Sequence, residues 1–150
     1  LHALDARGRT RARVELGSRH YDGAAPAVGR DGAVRVPTLS AGVVCVGPGG
    51  AVRWRAANPA GYNGPASIDP EDTTLVADRA GRLHALEADG SERWRVTLGS
   101  YSFQAPVVAP GGTIYAALER GLLEAWASSA SAEGAGARAQ RPRRAPRSSR

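Results

Sequence analysis

Apolar residues in this chain come in short runs, cut every few positions by Gly, Pro, Asp or Asn. β-Branched and aromatic residues fill the runs, which suits strands bounded by turns. One unit shows the layout. An inner strand is predicted near Gln104 to Val108, a second over Thr113 to Leu118, a third over Arg82 to Leu86 and an outer one over Glu92 to Val96. Four-residue loops ending in Gly join third to outer strands at Asp5 to Gly8, Gly47 to Gly50 and Glu87 to Gly90. Glycine takes positive φ there without steric cost.

The pattern repeats. Leu1-His2-Ala3-Leu4 is echoed by Leu83-His84-Ala85-Leu86, and Val43 to Val46 and Leu123 to Trp126 fill the same place. From Leu4 to Val46, Leu86 and Trp126 the steps are 42, 40 and 40 residues. Gly8, Gly50 and Gly90 follow those positions by four, and Trp54 and Trp94 follow their glycines by four. Pro26, Pro65 and Pro106 form a third series. A shared period near 40 predicts an all-β repeat array of four-stranded antiparallel units. Two whole units are expected, from about Ala24 to Arg55 and from Gly64 to Val96, flanked by two partial ones.

Local propensity and the repeat disagree over Tyr115 to Trp126. Strong helix formers fill it, and Leu118, Leu122 and Trp126 recur every four residues. The repeat phase places two strands there with a turn at Arg120-Gly121, matching Arg79-Ala80-Gly81. Strands are expected, because tertiary context overrides propensity.

Gly81-x-Leu83-x-Ala85-Leu86-x-x-x-Gly90-x-x-x-Trp94, followed by Pro106-Val107-Val108 and Gly112-Thr113-Ile114-Tyr115, resembles the PQQ-like repeat. That repeat is the blade of quinoprotein-dehydrogenase-type β-propellers, and it also builds the barrel-assembly lipoprotein of bacterial outer membranes and extracytoplasmic sensor domains. The resemblance covers residues 1–127 and implies a β-propeller fragment and an extracytoplasmic location, in the periplasm or cell envelope. Departures are Ala12 at the tryptophan position and His where an aromatic is usual in the Leu-x-Ala-Leu strand. Closure of a propeller takes four to eight blades, so residues 1–127 are expected to be an incomplete one. The repeat then stops: Gly and Trp are due at 130 and 134, where Ala130 and Gly134 stand.

Charge adds little to the patterned part. All 20 basic residues are Arg, and six of them fall in residues 128–150 with Glu133 the only acid, a net of +5. The other 127 residues carry 14 Arg against 13 acids, so no basic surface marks them for nucleic acid. The Ala/Ser/Arg-rich segment 128–150 reads as a disordered tail. No apolar stretch approaches the length of a membrane span. Cys45 is the only cysteine, which excludes an internal disulfide, and its neighbours Val44 and Val46 predict burial.

Few residues suggest chemistry. His2 and His84 are repeat equivalents in mid-strand, where shared packing or hydrogen bonding accounts for both, and no His/Asp/Glu cluster is evident around either. Asp69-Pro70-Glu71-Asp72 could coordinate calcium, but it occupies a loop between first and second strands that reads as a solvated turn. Trp54 and Trp94 are expected to dock one blade on the next. No catalytic residue, cofactor site or metal site is predicted.

The favoured function is a non-catalytic binding or scaffold module for a protein partner or small ligand. The alternative is part of a quinone-dependent dehydrogenase, with PQQ and calcium held by residues of other blades. The candidate binding face comprises the loops joining outer to inner strands, which carry Tyr21, Asp22, Tyr62, Asn63, Tyr101, Phe103 and Gln104. Aromatic rings with polar neighbours suit recognition. The competing reading is that each ring plugs its own blade.

Overall fold

The computed structural model describes residues 1–19, 24–62 and 64–127. Four antiparallel sheets follow one another along the chain. The first pairs β1 (His2–Leu4) with β2 (Thr10–Arg13). Blade A orders β3 (Ala27–Val28), β4 (Val34–Pro37), β5 (Val43–Val46) and β6 (Val52–Ala56). Blade B orders β7 (Ser67–Ile68), β8 (Thr74–Ala77), β9 (Arg82–Leu86) and β10 (Glu92–Thr97). Blade C has β11 (Val107–Val108), β12 (Thr113–Leu118) and β13 (Leu122–Ala127). The fold is all-β, a propeller fragment of four-stranded meanders with two complete blades among the described residues.

The inner strands are shorter than the sequence suggests. The strand expected from Gln104 begins only at Val107, because Pro106 has no N–H to give a ladder and the Ser102 hydroxyl bonds the Gln104 carbonyl instead. The ambiguous segment resolves as β12, a 3₁₀ turn at Glu119–Gly121 and β13. Six cross-strand pairs, from Thr113↔Ala127 to Leu118↔Leu122, hold it. Alternation decides it: Ile114, Ala116 and Leu118 are buried while Tyr115 and Ala117 are exposed, a period of two that a helix would scramble.

The core lies between sheets. Leu16, Val36, Val44 and Val46 join the first sheet to blade A. Val43, Tyr62, Ala66, Val76 and Leu86 join A to B. Leu75, Ala77, Leu83 and Ala85 of blade B meet Ile114, Ala116 and Leu118 of blade C. Cys45 is buried in blade A, and burial pushes its thiol above the ordinary value.

Candidate functional site

The repeat glycine and the outer-strand residue are two halves of one contact. Gly90 sits at φ 89°, closing the turn from β9 to β10, and a Cβ there would lie 2.7 Å from the Trp54 ring of blade A. The indole Nε1 of Trp54 donates to the Ala88 carbonyl at 2.8 Å. Gly50 meets the outer strand before it in the same way, with the Ala12 Cβ 3.0 Å from a Cβ placed there. Only a residue without a side chain lets the preceding ring lie flat on the turn. Trp94 packs against the B/C core.

Toward the loops between first and second strands, the A/B junction holds a charged pair. Arg35 of β4 is fully buried, and its guanidinium meets both carboxylate oxygens of Asp72, at 2.5 Å and 3.3 Å. Asp72 has φ 68° and also accepts from the Arg30 amide. Asp31 lies 3.5 Å from Arg35 and pairs with Arg53; its carboxyl is held low by the Ala33 amide and then by Arg53. The acidic run Asp69 to Asp72 is therefore committed internally. Asp69 Oδ1 accepts from the Glu71 and Thr73 amides, each at 2.8 Å, and Asp72 faces Arg35, so these carboxylates do not converge as a calcium site would require.

Near the opposite loops the same junction is lined by a second polar group. Asp78 follows β8 and is fully buried; its Oδ1 accepts from the Ala80 and Arg82 amides at 2.9 Å. Its Oδ2 accepts from Arg82 Nε at 2.8 Å, from His84 Nε2 at 2.9 Å and from Asn58 Nδ2 at 3.2 Å. Burial acts to raise the Asp78 carboxyl, but the bonds from His84, the Arg82 amide, Asn58 and the Arg82 side chain outweigh it and hold the group below its ordinary value. His84 Nδ1 lies 2.6 Å from Glu92 Oε1. The Tyr62 ring stands edge-on to the imidazole at 5.7 Å, and burial pushes its phenol up to about 12. A cleft of about 440 Å³ opens beside this group, lined by Asn58, Tyr62, Arg82, His84, Glu92 and Arg95 among others.

This cluster departs from the sequence reading, which found no acids around His84. Repeat phase carried the missing signal. Asn58 stands where Leu16 and Leu98 stand, His84 where Val44 stands, and Asp78 where Thr38 stands. The His84 slot also holds His2 and Glu124 in other units, so Asn58 is the polar residue in an otherwise apolar slot, and it meets Asp78 and His84 at one junction. His2, the repeat equivalent of His84, is exposed.

The predicted binding-face residues are not placed alike. Tyr101, Phe103 and Gln104 are exposed on the loop from β10 to β11. Tyr62, for which both an accessible and a packing ring were open, is 2% exposed and belongs to the A/B core, because the bridge Tyr62↔Asp78 draws it into the sheet. Tyr21, Asp22 and Asn63 lie outside the described residues, as does the tail 128–150. Among the described residues no group of three or more His, Cys, Asp or Glu is arranged to hold a metal ion. No described helix is long and apolar enough to cross a membrane.

Comparison with known proteins agrees with this geometry. The family model described as "Outer membrane protein assembly factor BamB" matches residues 40–135. The crystal structure of BamB from Moraxella catarrhalis superposes with a TM-score of 0.69 at 30% identity, covering 83% of this chain and 39% of that one. Quinohemoprotein alcohol dehydrogenase from Comamonas testosteroni superposes with a TM-score of 0.55 at 23% identity, over 75% of this chain and 22% of that one, a likeness of fold. No curated protein sequence matches. The chain thus spans about two fifths of the BamB structure's length.

Proposed function

The chain belongs to the BamB family of PQQ-like propellers, and from that premise we propose that it serves as a non-catalytic, extracytoplasmic scaffold that binds a protein partner in outer-membrane protein assembly. The observation that carries this reading is the match to an assembly factor over 83% of the chain at 30% identity. Side-chain chemistry supports it. Buried Arg35 of blade A is paired with Asp72 of blade B, and buried Asp78 and His84 of blade B are bonded to each other and, through Asp78, to Asn58 of the connector from blade A, an arrangement that fixes structure. Exposed rings stand instead at the loop carrying Tyr101 and Phe103, 49% and 39% accessible, which is the surface offered to a partner.

The test is genetic and biochemical together. Loss of the gene should lower the outer-membrane content of β-barrel proteins, the intact protein should restore it, and a Tyr101→Ala/Phe103→Ala variant should restore it poorly while keeping its melting temperature. Unchanged barrel content on gene loss would overturn the reading. So would alcohol-dependent dye reduction by the intact protein that requires added quinone and calcium, which is the behaviour of the dehydrogenase alternative.

A further inference from the structure

We propose that the cleft at the A/B junction binds a carboxylate carried on a short apolar body, held between the guanidinium groups of Arg82 and Arg95. Both arginines stand on the face of blade B that looks toward blade A. Arg95 pairs across the ladder with His84, and Arg82 lies two residues before His84 on the same strand. Paired residues and residues two apart share a face, so Arg82 and Arg95 are diagonal neighbours whose long side chains reach one small group. Leu86 on that face belongs to the A/B core, while Trp94 and Val96 pack on the opposite side against blade C. The cleft the two arginines line has a volume of about 440 Å³, the size of a small-ligand site.

The cleft has donors to spare and few free acceptors. Asp78 takes Arg82 Nε and Nη2, each at 2.8 Å, which fixes the guanidinium plane and turns its remaining N–H groups away from the buried carboxylate. Asn58 and His84 fill the rest of Asp78 Oδ2, and Glu92 Oε1 faces His84 Nδ1 at 2.6 Å. Arg95 is 58% exposed and donates no hydrogen bond among the described residues; its ion pair with Glu92, at 3.7 Å, is too long to be one. The junction before it is closed at the same place. Arg55, at the Arg95 position of blade A, donates to the Leu16 carbonyl at 2.5 Å, and Gly42 stands at the Arg82 position. There the one arginine is tied to the connector, whereas here two face an open cleft. Two planar forks suit a carboxylate, and the Glu92 charge at the rim opposes a dianion such as phosphate. Leu86, Ala56 and Pro59 on the wall give the ligand's apolar part its contact.

The test titrates the intact protein with N-acetyl-alanine and with N-acetyl-alanine amide, followed by backbone amide shifts. The acid should move the amides of Ala57, Asn58 and Arg95, and the neutral amide compound should move none of them. Arg95→Gln should weaken binding of the acid roughly tenfold, the loss of one charge-assisted bond, and leave the melting temperature unchanged because that side chain is exposed. An alanine pentapeptide with a free C-terminus separates two sources of the carboxylate. Binding tighter than that of N-acetyl-alanine assigns the cleft to the C-terminus of a polypeptide, and weaker binding assigns it to a small free acid. Equal shifts with acid and amide, an affinity unchanged in Arg95→Gln, or no shift at about 10 mM acid would overturn the carboxylate site.

Discussion

Blade B is held on its two sides by different physics. Toward blade C it presents Leu75, Ala77, Leu83 and Ala85, which close on Ile114, Ala116 and Leu118. Toward blade A it presents Val76 and Leu86 between two sets of buried polar groups, Arg35 with Asp72 and Asp78 with His84, Arg82 and Asn58. The backbone is nearly the same on both sides, since every blade repeats one meander. A shape repeat therefore tolerates a change in the chemistry of its junctions when the buried charges are paired, even though Arg35 Nε and Thr74 Oγ1 are left without a hydrogen bond among the described residues. The consequences differ. An apolar junction loses stability in proportion to the atoms removed, whereas a charged one fails abruptly when a single partner is lost.

The largest effect should come from breaking the charged side. Asp78→Ala leaves His84, Arg82 and Asn58 without their common acceptor and should lower stability by about 4 kcal/mol, measured by urea denaturation of the intact protein. Leu83→Ala, on the apolar side, should cost about 3 kcal/mol through the cavity it leaves. Acid should separate the two junctions without mutation. The Asp78 carboxyl lies below its ordinary value when folded, so its stabilisation is present above about pH 4 and is lost as pH falls through that range and below. Exchange protection around Asp78 should therefore fall before that around Leu83, and simultaneous loss would contradict the contrast. Smaller still, Trp54→Phe keeps a ring on Gly90 but removes the bond to the Ala88 carbonyl, a loss of about 1 kcal/mol.

Much of this architecture was legible in the residues, and the reason is periodicity. Gly50 and Gly90, Trp54 and Trp94, and the three prolines mark turns, docking positions and strand starts by what their side chains permit. That phase also outweighed the helix-forming composition of Tyr115 to Trp126, where β12 and β13 pair. The candidate site was less visible. Asn58, Asp78, His84 and Glu92 are scattered over 35 positions, and they meet because a strand period sends His84 toward blade A while its neighbours Leu83 and Ala85 face blade C. Reading each repeat slot for its odd residue, Asn58 against Leu16 and Leu98, would have found the cluster. At Tyr62 two readings were open from sequence, a recognition ring and a packing ring, and a bridge to Asp78 buries it.

The most direct test of the contrast between junctions is a double-mutant cycle across blades A and B in the intact protein, using Arg35→Met and Asp72→Asn, since asparagine tolerates the left-handed backbone at position 72. Arg35 and Asp72 belong to different blades and meet through both guanidinium nitrogens. The expected coupling is about 2 kcal/mol, with the double variant recovering much of the stability lost in either single one. A coupling below about 0.5 kcal/mol, with the two losses simply adding, would mean that the pair does not tie the blades and that the A/B junction rests on its apolar contacts alone.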